Sequence, residues 1–328
     1  MIPAKLKAGD EVRVIAPARS LAIISQEVRA IATERFTKLG LRLTFGKHVD
    51  ECDDFKSTSI AARINDFYNA FVDSNVKAVI TVIGGFNCNQ LLSDLDYELI
   101  RKNPKIFCGY SDITALQNAI FAKTGLITYS GPHFSTFGMK ERFDFTLNHF
   151  VRCLFESGPI ELVASEFWSD DPWFAKQDER NFLPNSGYRV LRSGTAEGTI
   201  LGGNLCTFNL LHGSSYMPKL ENSVLFLEDD DAVGHFTPME FDRNLQSILH
   251  QPGAESILGL VIGRFQKKSG LTDELLKQII TSKKELFGKP VIAGADFGHT
   301  DPLITFPIGG RVKIEANGQI AKIVILEH

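Results

Sequence analysis

The sequence predicts an α/β protein built on a parallel sheet, followed by a part of mixed α+β character. Two observations carry this. In the first half, short apolar β-branched runs alternate with stretches of helical period, which implies parallel strands with helices on both faces. In the second half the strand-like runs are more isolated, and the chain closes on a hairpin signal.

The elements follow in order. Residues 12–16 form an apolar run that stops at Pro17 and reads as a buried strand. Val28, Ile31, Ala32, Phe36 and Leu39 repeat on one helical face, with Gly40 as the stop. Residues 41–45 form a second strand. Ile60, Ile64, Phe67, Phe71 and Val72 mark a helix, and residues 77–83 form a strand that runs into Gly84-Gly85. A helix is expected to start at Gln90-Leu91-Leu92. The strand 106–108 meets Gly109-Tyr110-Ser111-Asp112, and Ile113, Leu116, Ile120 and Phe121 mark the helix after it. Residues 165–185 are rich in Asp, Glu, Pro and aromatics without a period, and read as a linker or a long functional loop. Strands are then expected at 198–201, 223–227, 256–262 and 290–293. One helix is expected from Thr237-Pro238-Met239-Glu240, which has a capping-box pattern, and another around Leu275, Leu276, Ile279 and Ile280. Residues 311–320 read as a hairpin turning at Asn317-Gly318.

A chain of 328 residues holds about two domains at roughly 150 residues each. With 35 basic and 39 acidic side chains, the formal charge of −4 argues against a general nucleic-acid binder, which carries a basic excess. Cys52, Cys88, Cys108, Cys153 and Cys206 are odd in number and include no CxxC pair, as in a reducing compartment. The opening MIPAKLKAGDEV lacks a basic region followed by an apolar run, so no signal peptide is expected, and no apolar run approaches the ~18 residues of a membrane span. A cytoplasmic protein is the expectation. Phe outnumbers Tyr and Trp together, 25 against 8, and is expected mainly in the core, which leaves Trp168 and Trp173 as the notable aromatics.

The sharpest local feature is Ser111, placed where a strand turns abruptly into a helix. That geometry exposes a hydroxyl at the carboxyl end of a sheet, beside backbone N–H groups able to hold an oxyanion. The second Gly of G-x-S-x-G is absent, since Ile113 stands there, and Ser111 or Asp112 as a plain helix cap is the other reading. Gly84-Gly85 follows the preceding strand and is either a tight turn or a second source of an oxyanion N–H. Neither G-x-G-x-x-G nor GxxxxGK[ST] is present, which weakens dinucleotide and P-loop readings. A serine needs a base and the base an orienting group. His299 lies in a Gly-rich loop after a strand, and Glu228 closes the strand before it in the chain. His149 and His250 fall in expected helices. Glu228, Asp229, Asp230 and Asp231, with His235, Asp296, His299 and Asp301, alternatively suggest a metal site, although no HExxH or His-x-His spacing supports one. No metal or cofactor is expected.

Taken together, these residues resemble the LD-carboxypeptidase family of serine peptidases, most of all its branch of microcin C immunity proteins, the MccF-like branch. The resemblance rests on GDEVRVIAPA, TVIGGFNCNQLL, NPKIFCGYSDITALQNAIFAKTGLITYSGP, FWSDDPW, GTILGGNLCTFNLLHGSSYMP, VLFLEDD and GHTDPLITFPIG, in that order along nearly the whole chain. It implies a flavodoxin-like N-terminal domain over 1–160, a linker and substrate loop over 161–195, and a smaller β-containing domain over 196–328. It also implies a triad of Ser111 as nucleophile, His299 as base and acid, and Glu228 as its orienting group. The amides of Gly85 and Asp112 would form the oxyanion hole, and Asn204 and Trp173 would contact substrate, Trp173 by stacking on a nucleobase.

The family cleaves an amide next to a carboxylate in muropeptides, or the bond joining an aminoacyl group to a sulfamoyl or phosphoramidate adenylate. FWSDDPW and GSSYMP point to the second class, with the muropeptide carboxypeptidase as the alternative. Two departures stand out: the short spacing from Trp168 to Trp173, and acidic residues after Glu228 where the immunity proteins carry basic ones. A small peptide or aminoacyl-nucleotide substrate and a homodimer are therefore expected, with no nucleic-acid polymer and no membrane as partner. A metal-dependent hydrolase and a non-catalytic binding module remain as competing classes.

Overall fold

The computed structural model describes all residues, 1–328. Its first part runs β1 (Glu11–Ile15), α1 (Gln26–Lys38), β2 (Arg42–Phe45), α2 (Ile60–Val72), β3 (Val76–Thr81), α3 (Tyr97–Lys102), β4 (Ile106–Gly109), α4 (Thr114–Thr124), β5 (Thr128–Ser130) and α5 (Asp144–Leu154). The chain continues with β6 (Ile160–Leu162), β7 (Phe167–Trp168), β8 (Leu183–Pro184), β9 (Arg189–Arg192), β10 (Gly194–Asn204), α6 (Leu205–Asn209), β11 (Ser223–Glu228) and α7 (Thr237–Leu249). It ends with β12 (Gly259–Gly263), α8 (Asp273–Ser282), β13 (Val291–Ala295), β14 (Phe306–Ile308), β15 (Arg311–Asn317) and β16 (Ile320–Glu327).

Two sheets organise these elements. The first has the order β14-β5-β4-β3-β1-β2, with β1 to β5 parallel and β14 antiparallel on its edge. The second has the order β6-β16-β15-β10-β11-β12-β13-β9. Its centre, β10 to β13, is parallel, and its flanks are antiparallel. By strand number the second sheet is the larger, eight against six, and β6 crosses into it from the first part of the chain. In exchange β14 joins the first sheet. These crossings depend on contacts far apart in sequence, which local periodicity does not encode.

The burial patterns explain why strand signals were legible. β4, β11, β12 and β13 are buried at every position, as a parallel strand covered on both faces must be. β15 alternates buried and solvent-facing positions, as a one-faced antiparallel strand does. Two apolar clusters lie on opposite sides of the sheets. One gathers Val12, Val14 and Ile80 with Phe226, Val312 and Ile314; the other gathers Val79, Phe107 and Leu116 with Leu225, Leu227 and Ile262. Each cluster draws on both sheets, so the two are packed as one unit. Phe36, Phe67, Phe71, Phe107, Phe226 and Phe306 are fully buried, whereas Phe86 and Phe174 are each 72% exposed.

Helix starts follow side-chain capping at Ser25, Ser59, Asp96 and Thr272, each of which accepts a backbone N–H. Two expectations are corrected. Thr237 does not close a capping box: it is already helical, and its hydroxyl donates to the Gly234 carbonyl at 2.7 Å. A 3-10 turn over Gly234–Phe236 leads straight into α7 and moves the true cap back to Phe236. The helix expected from Gln90 is a 3-10 turn over Cys88–Leu91, held by the Asp112 carboxylate, and the helix proper starts at Tyr97. The terminal hairpin forms with Asn317 paired to Ile320 and Gly318 (φ +57°) at the first central turn position. No helix is long and apolar enough to cross a membrane.

Candidate active site

The carboxyl ends of the parallel strands converge on one cleft of about 870 Å³. From the first sheet come Arg19 after β1, Gly84 and Gly85 after β3, and Ser111 after β4. From the second come Asp230 and Asp231 after β11, and Gly298 and His299 after β13. Ligand clefts of α/β sheets form at this edge, where strand order reverses, as it does here between β1 and β3.

Ser111 has φ +61°, in the left-handed region that costs a non-glycine residue ~1–2 kcal/mol. Its neighbours hold it there. A Cβ on Gly84 would stand 3.0 Å from the Ser111 Cβ, and one on Gly109 would stand 2.3 Å from Thr81 Oγ1. Neither Gly84 nor Gly85 has positive φ, so this pair serves close approach and not backbone freedom. Asp112 is buried, and its Oδ2 accepts the N–H groups of Asn87 and Cys88 at 3.0 Å each. Burial raises the Asp112 pKa, against the pull of those N–H groups and of Arg63. The carboxylate therefore ties the turn carrying Gly85 to the turn carrying Ser111.

His299 Nε2 lies 3.0 Å from Ser111 Oγ, and Nδ1 lies 2.8 Å from Glu228 Oε2. A carboxylate only accepts, so in the neutral imidazole Nδ1–H donates to Glu228 and the Nε2 lone pair faces the Ser111 hydroxyl. Glu228 ends β11 fully buried. Glycines make room for it: a Cβ on Gly298 (φ +108°) would stand 2.7 Å from Glu228 Oε2, and one on Gly263 would stand 2.8 Å from its Cβ. Burial pushes the His299 pKa down, but Glu228, Asp230 and Asp229 together outweigh it and raise the value to about 9. Asp230 Oδ2 is 4.0 Å from Nε2, on the side that faces the serine.

The other expected residues are placed as follows. Trp173 lines the cleft, half-buried, beside exposed Phe174 at 6.1 Å between ring centroids. Trp168 is off the cleft, under Arg264 and Lys267. Asn204 is buried and also off the cleft wall. It caps α6, accepting from Thr207 N at 3.1 Å, and its Nδ2 donates to Asp229 at 3.4 Å. The broad acidic metal set is not assembled: Asp296 is spent on Arg264, Ser165 and Asn185, and His235 stacks on Phe236. Only Cys206, Asp229 and Asp230 lie close enough to share an ion. Asp229 is raised to about 7 by burial first, then by Glu228 and Asp230.

Two features had no sequence signal. His133 is buried on the cleft wall, with Nδ1 2.7 Å from Thr81 Oγ1 and its ring 4.3 Å from that of Tyr110. Burial, reinforced by His299, holds its pKa at about 3, so it is neutral. Arg180, with a fully covered side chain, donates to Asp301 Oδ2 at 2.9 Å, and Ser169 and Asp301 exchange two backbone bonds of 2.8 Å. These contacts fasten the 165–185 loop to the loop that carries His299. Burial raises Asp301 to about 7 against the pull of Arg180 and His299.

Residues 12–131 match the model of the LD-carboxypeptidase N-terminal domain, and residues 197–314 that of the LD-carboxypeptidase C-terminal domain. The chain belongs to the LD-carboxypeptidase family. It is accordingly a serine-type carboxypeptidase of that family. The putative carboxypeptidase YocD of Bacillus subtilis is 50% identical over 100% of both chains. The probable murein peptide carboxypeptidase of Bacillus subtilis is 30% identical, covering 98% of this chain and 93% of its own. The microcin C7 self-immunity protein MccF of Escherichia coli is 29% identical, covering 96% and 93%. Among solved structures, an MccF-like protein from Bacillus anthracis superposes with a TM-score of 0.99 at 52% identity, covering 100% of both chains. MccF in complex with aspartyl sulfamoyl adenosine superposes at 0.87 and 28%, covering 100% and 99%. The similarity to MccF itself is thus well below that to YocD, which broadens the expected immunity-branch assignment to the family as a whole.

Proposed function

We propose that this family member hydrolyses an amide bond next to an anionic group, using Ser111, His299 and Glu228, and that an LD-muropeptide is its first substrate class. The observation that carries the reading is the hydrogen-bonded line from Ser111 Oγ through His299 to Glu228, at 3.0 and 2.8 Å, with the serine in a strained turn at a cleft edge. The similarity to a murein peptide carboxypeptidase supports the substrate class.

In the proposed mechanism His299 Nε2 takes the Ser111 proton as Oγ attacks the amide carbonyl. Glu228 stabilises the imidazolium that results. The oxyanion rests on the amides of Gly85 and Asp112. The Gly84 carbonyl accepts from Arg19 N at 3.4 Å, and in a trans peptide this turns the Gly85 N–H the opposite way. That N–H has no acceptor within the protein. His299 then protonates the leaving amine, and water cleaves the acyl-enzyme. In this scheme Asn204 acts through Asp229. We also read the N-terminal sheet as flavodoxin-like, on the strand order β2-β1-β3-β4-β5.

A second reading, an aminoacyl-nucleotide substrate, is favoured by Trp173 and exposed Phe174, which offer aromatic faces to a purine. The complex of MccF with aspartyl sulfamoyl adenosine supports it too. The test is to compare kcat/KM for an LD-tetrapeptide and an aminoacyl sulfamoyl adenosine, with Ser111→Ala alongside. Turnover of the tetrapeptide, lost in Ser111→Ala, is the expected result. Turnover that survives Ser111→Ala would refute the mechanism.

A further inference from the structure

Besides His299, the cleft wall carries the cations Arg19, Lys267 and Lys268. Lys267 is held by Asp170 at 2.9 Å. The cleft carboxylates Asp170 and Asp171 have partners of their own, Lys267 for the first and Asn181 and Ser169 for the second. The Arg19 guanidinium has neither a hydrogen-bond acceptor nor an ion-pair partner in the protein. It lies 5.3 Å over the ring of Phe86, which is 72% exposed and rises from the turn after Gly85. A guanidinium set on an aromatic face is oriented in advance, with its N–H fork free for a planar anion.

Its place relative to the chemistry is defined by two glycines. A Cβ on Gly84 would touch Ser111, and one on Gly85 would stand 3.2 Å from Arg19 Cγ. Arg19 therefore borders the Gly85 amide, one residue along from the serine contact. The acidic side of the cleft, Asp230 and Asp231, sits instead at His299. The cleft is polarised, with the unpaired Arg19 on the amide side and the carboxylates, Asp230 within 4.0 Å of His299 among them, on the imidazole side.

We infer that Arg19 binds the anion on the leaving half of the substrate, a carboxylate or a phosphate-type group. This rests on the proposed amide hydrolysis, because in both substrate classes the anion lies within a few bonds of the scissile nitrogen. Arg19 then has two tasks: its backbone N–H aligns the peptide that carries the Gly85 amide, and its side chain selects substrates charged beside the bond to be cut. Bidentate, charge-assisted recognition of this kind is worth about tenfold to a hundredfold in affinity.

The test is calorimetric binding to Ser111→Ala protein, with and without Arg19→Gln, in two arms. One arm pairs N-acetyl-D-alanine with the neutral N-acetyl-D-alaninamide; the other pairs adenosine monophosphate with adenosine. The expected result is a tenfold to hundredfold loss for the anion of at least one pair and an unchanged affinity for its neutral partner, with Arg19→Lys recovering part of the loss. The affected arm identifies the anion. Equal losses for charged and neutral ligands, no loss in either arm, or no measurable binding of either anion before Arg19 is changed would each overturn the inference. Hydrolysis by the unaltered protein is scored separately, so a failure of the proposed reaction is not mistaken for a failure of Arg19.

Discussion

Replacing Glu228 with Gln removes one charge from the site and keeps a hydrogen-bond acceptor at nearly the same place. The His299 pKa stands at about 9 against an ordinary 6.5, a net preference for imidazolium of about 3 kcal/mol. Glu228 at 2.8 Å is the foremost of the groups that raise it, ahead of Asp230 and Asp229, while burial works in the opposite direction. A carboxylate at that distance typically moves a partner's pKa by about 1–3 pH units. Because the base must be neutral to accept the serine proton, kcat/KM of the unaltered enzyme should climb with pH until about 9. In Glu228→Gln that acid limb should move down by at least about one pH unit, and the plateau should fall by about 10²–10⁴, since the imidazolium loses its counter-charge. The assay is kcat/KM for the tetrapeptide from pH 5 to 10. The same shift has a stability consequence with a fixed sign. The folded pKa is above the unfolded one, so the stabilisation is complete below about pH 6.5 and disappears as pH rises through about 9. Urea unfolding over that range should therefore show a steeper loss for the unaltered protein than for Glu228→Gln. An acid limb that stays in place on substitution would refute the electrostatic role given to Glu228.

Three further outcomes are expected. Ser111→Gly should unfold at higher urea than Ser111→Ala, by about 1 kcal/mol, because only glycine relieves the φ of +61°, and both should be inactive. Gly298→Ala should lower kcat far more than it changes KM, because a Cβ 2.7 Å from Glu228 Oε2 displaces the carboxylate; steady-state kinetics reads this directly. Arg180→Gln should destabilise the protein by about 3 kcal/mol in urea at pH 8, since it strands the largely covered Asp301 carboxylate, whose side chain is only 13% exposed. Asp301 already stands at about 7, above the unfolded value, so ionising it works against the folded state. The destabilisation should shrink as pH falls towards 4, where Asp301 is protonated and neutral.

Much of the site was legible in the sequence because its residues sit at strand ends, and strand ends are marked locally. Ser111 follows an apolar run and precedes a helical period, Gly84-Gly85 follows the apolar run one strand earlier, Glu228 closes a run in the second half, and His299 lies in the Gly-rich loop just after another. That they meet was not legible from spacing: Ser111 and His299 are 188 residues apart, and the resemblance alone supplied the pairing. The residues missed are those whose meaning is tertiary. Arg180 looks like any loop cation until it is buried against Asp301, 121 positions on. His133 follows a short strand without any pattern that foretells its contact with Thr81 and Tyr110. Asn204, for which the resemblance implies substrate contact, also caps α6 through its Oδ1, a role that local sequence does mark. The capping-box pattern at Thr237 failed because the preceding 3-10 turn had already put that residue into the helix.

The central claim, a covalent route through Ser111, is tested most directly by intact mass spectrometry of the protein acid-quenched during turnover of the LD-tetrapeptide and, separately, of an aminoacyl sulfamoyl adenosine. The account predicts a mass increase equal to the acyl half of the substrate, mapped to the peptide containing Ser111 and absent from Ser111→Ala. Turnover with no adduct at Ser111, accompanied by undiminished activity of Ser111→Ala, would contradict it.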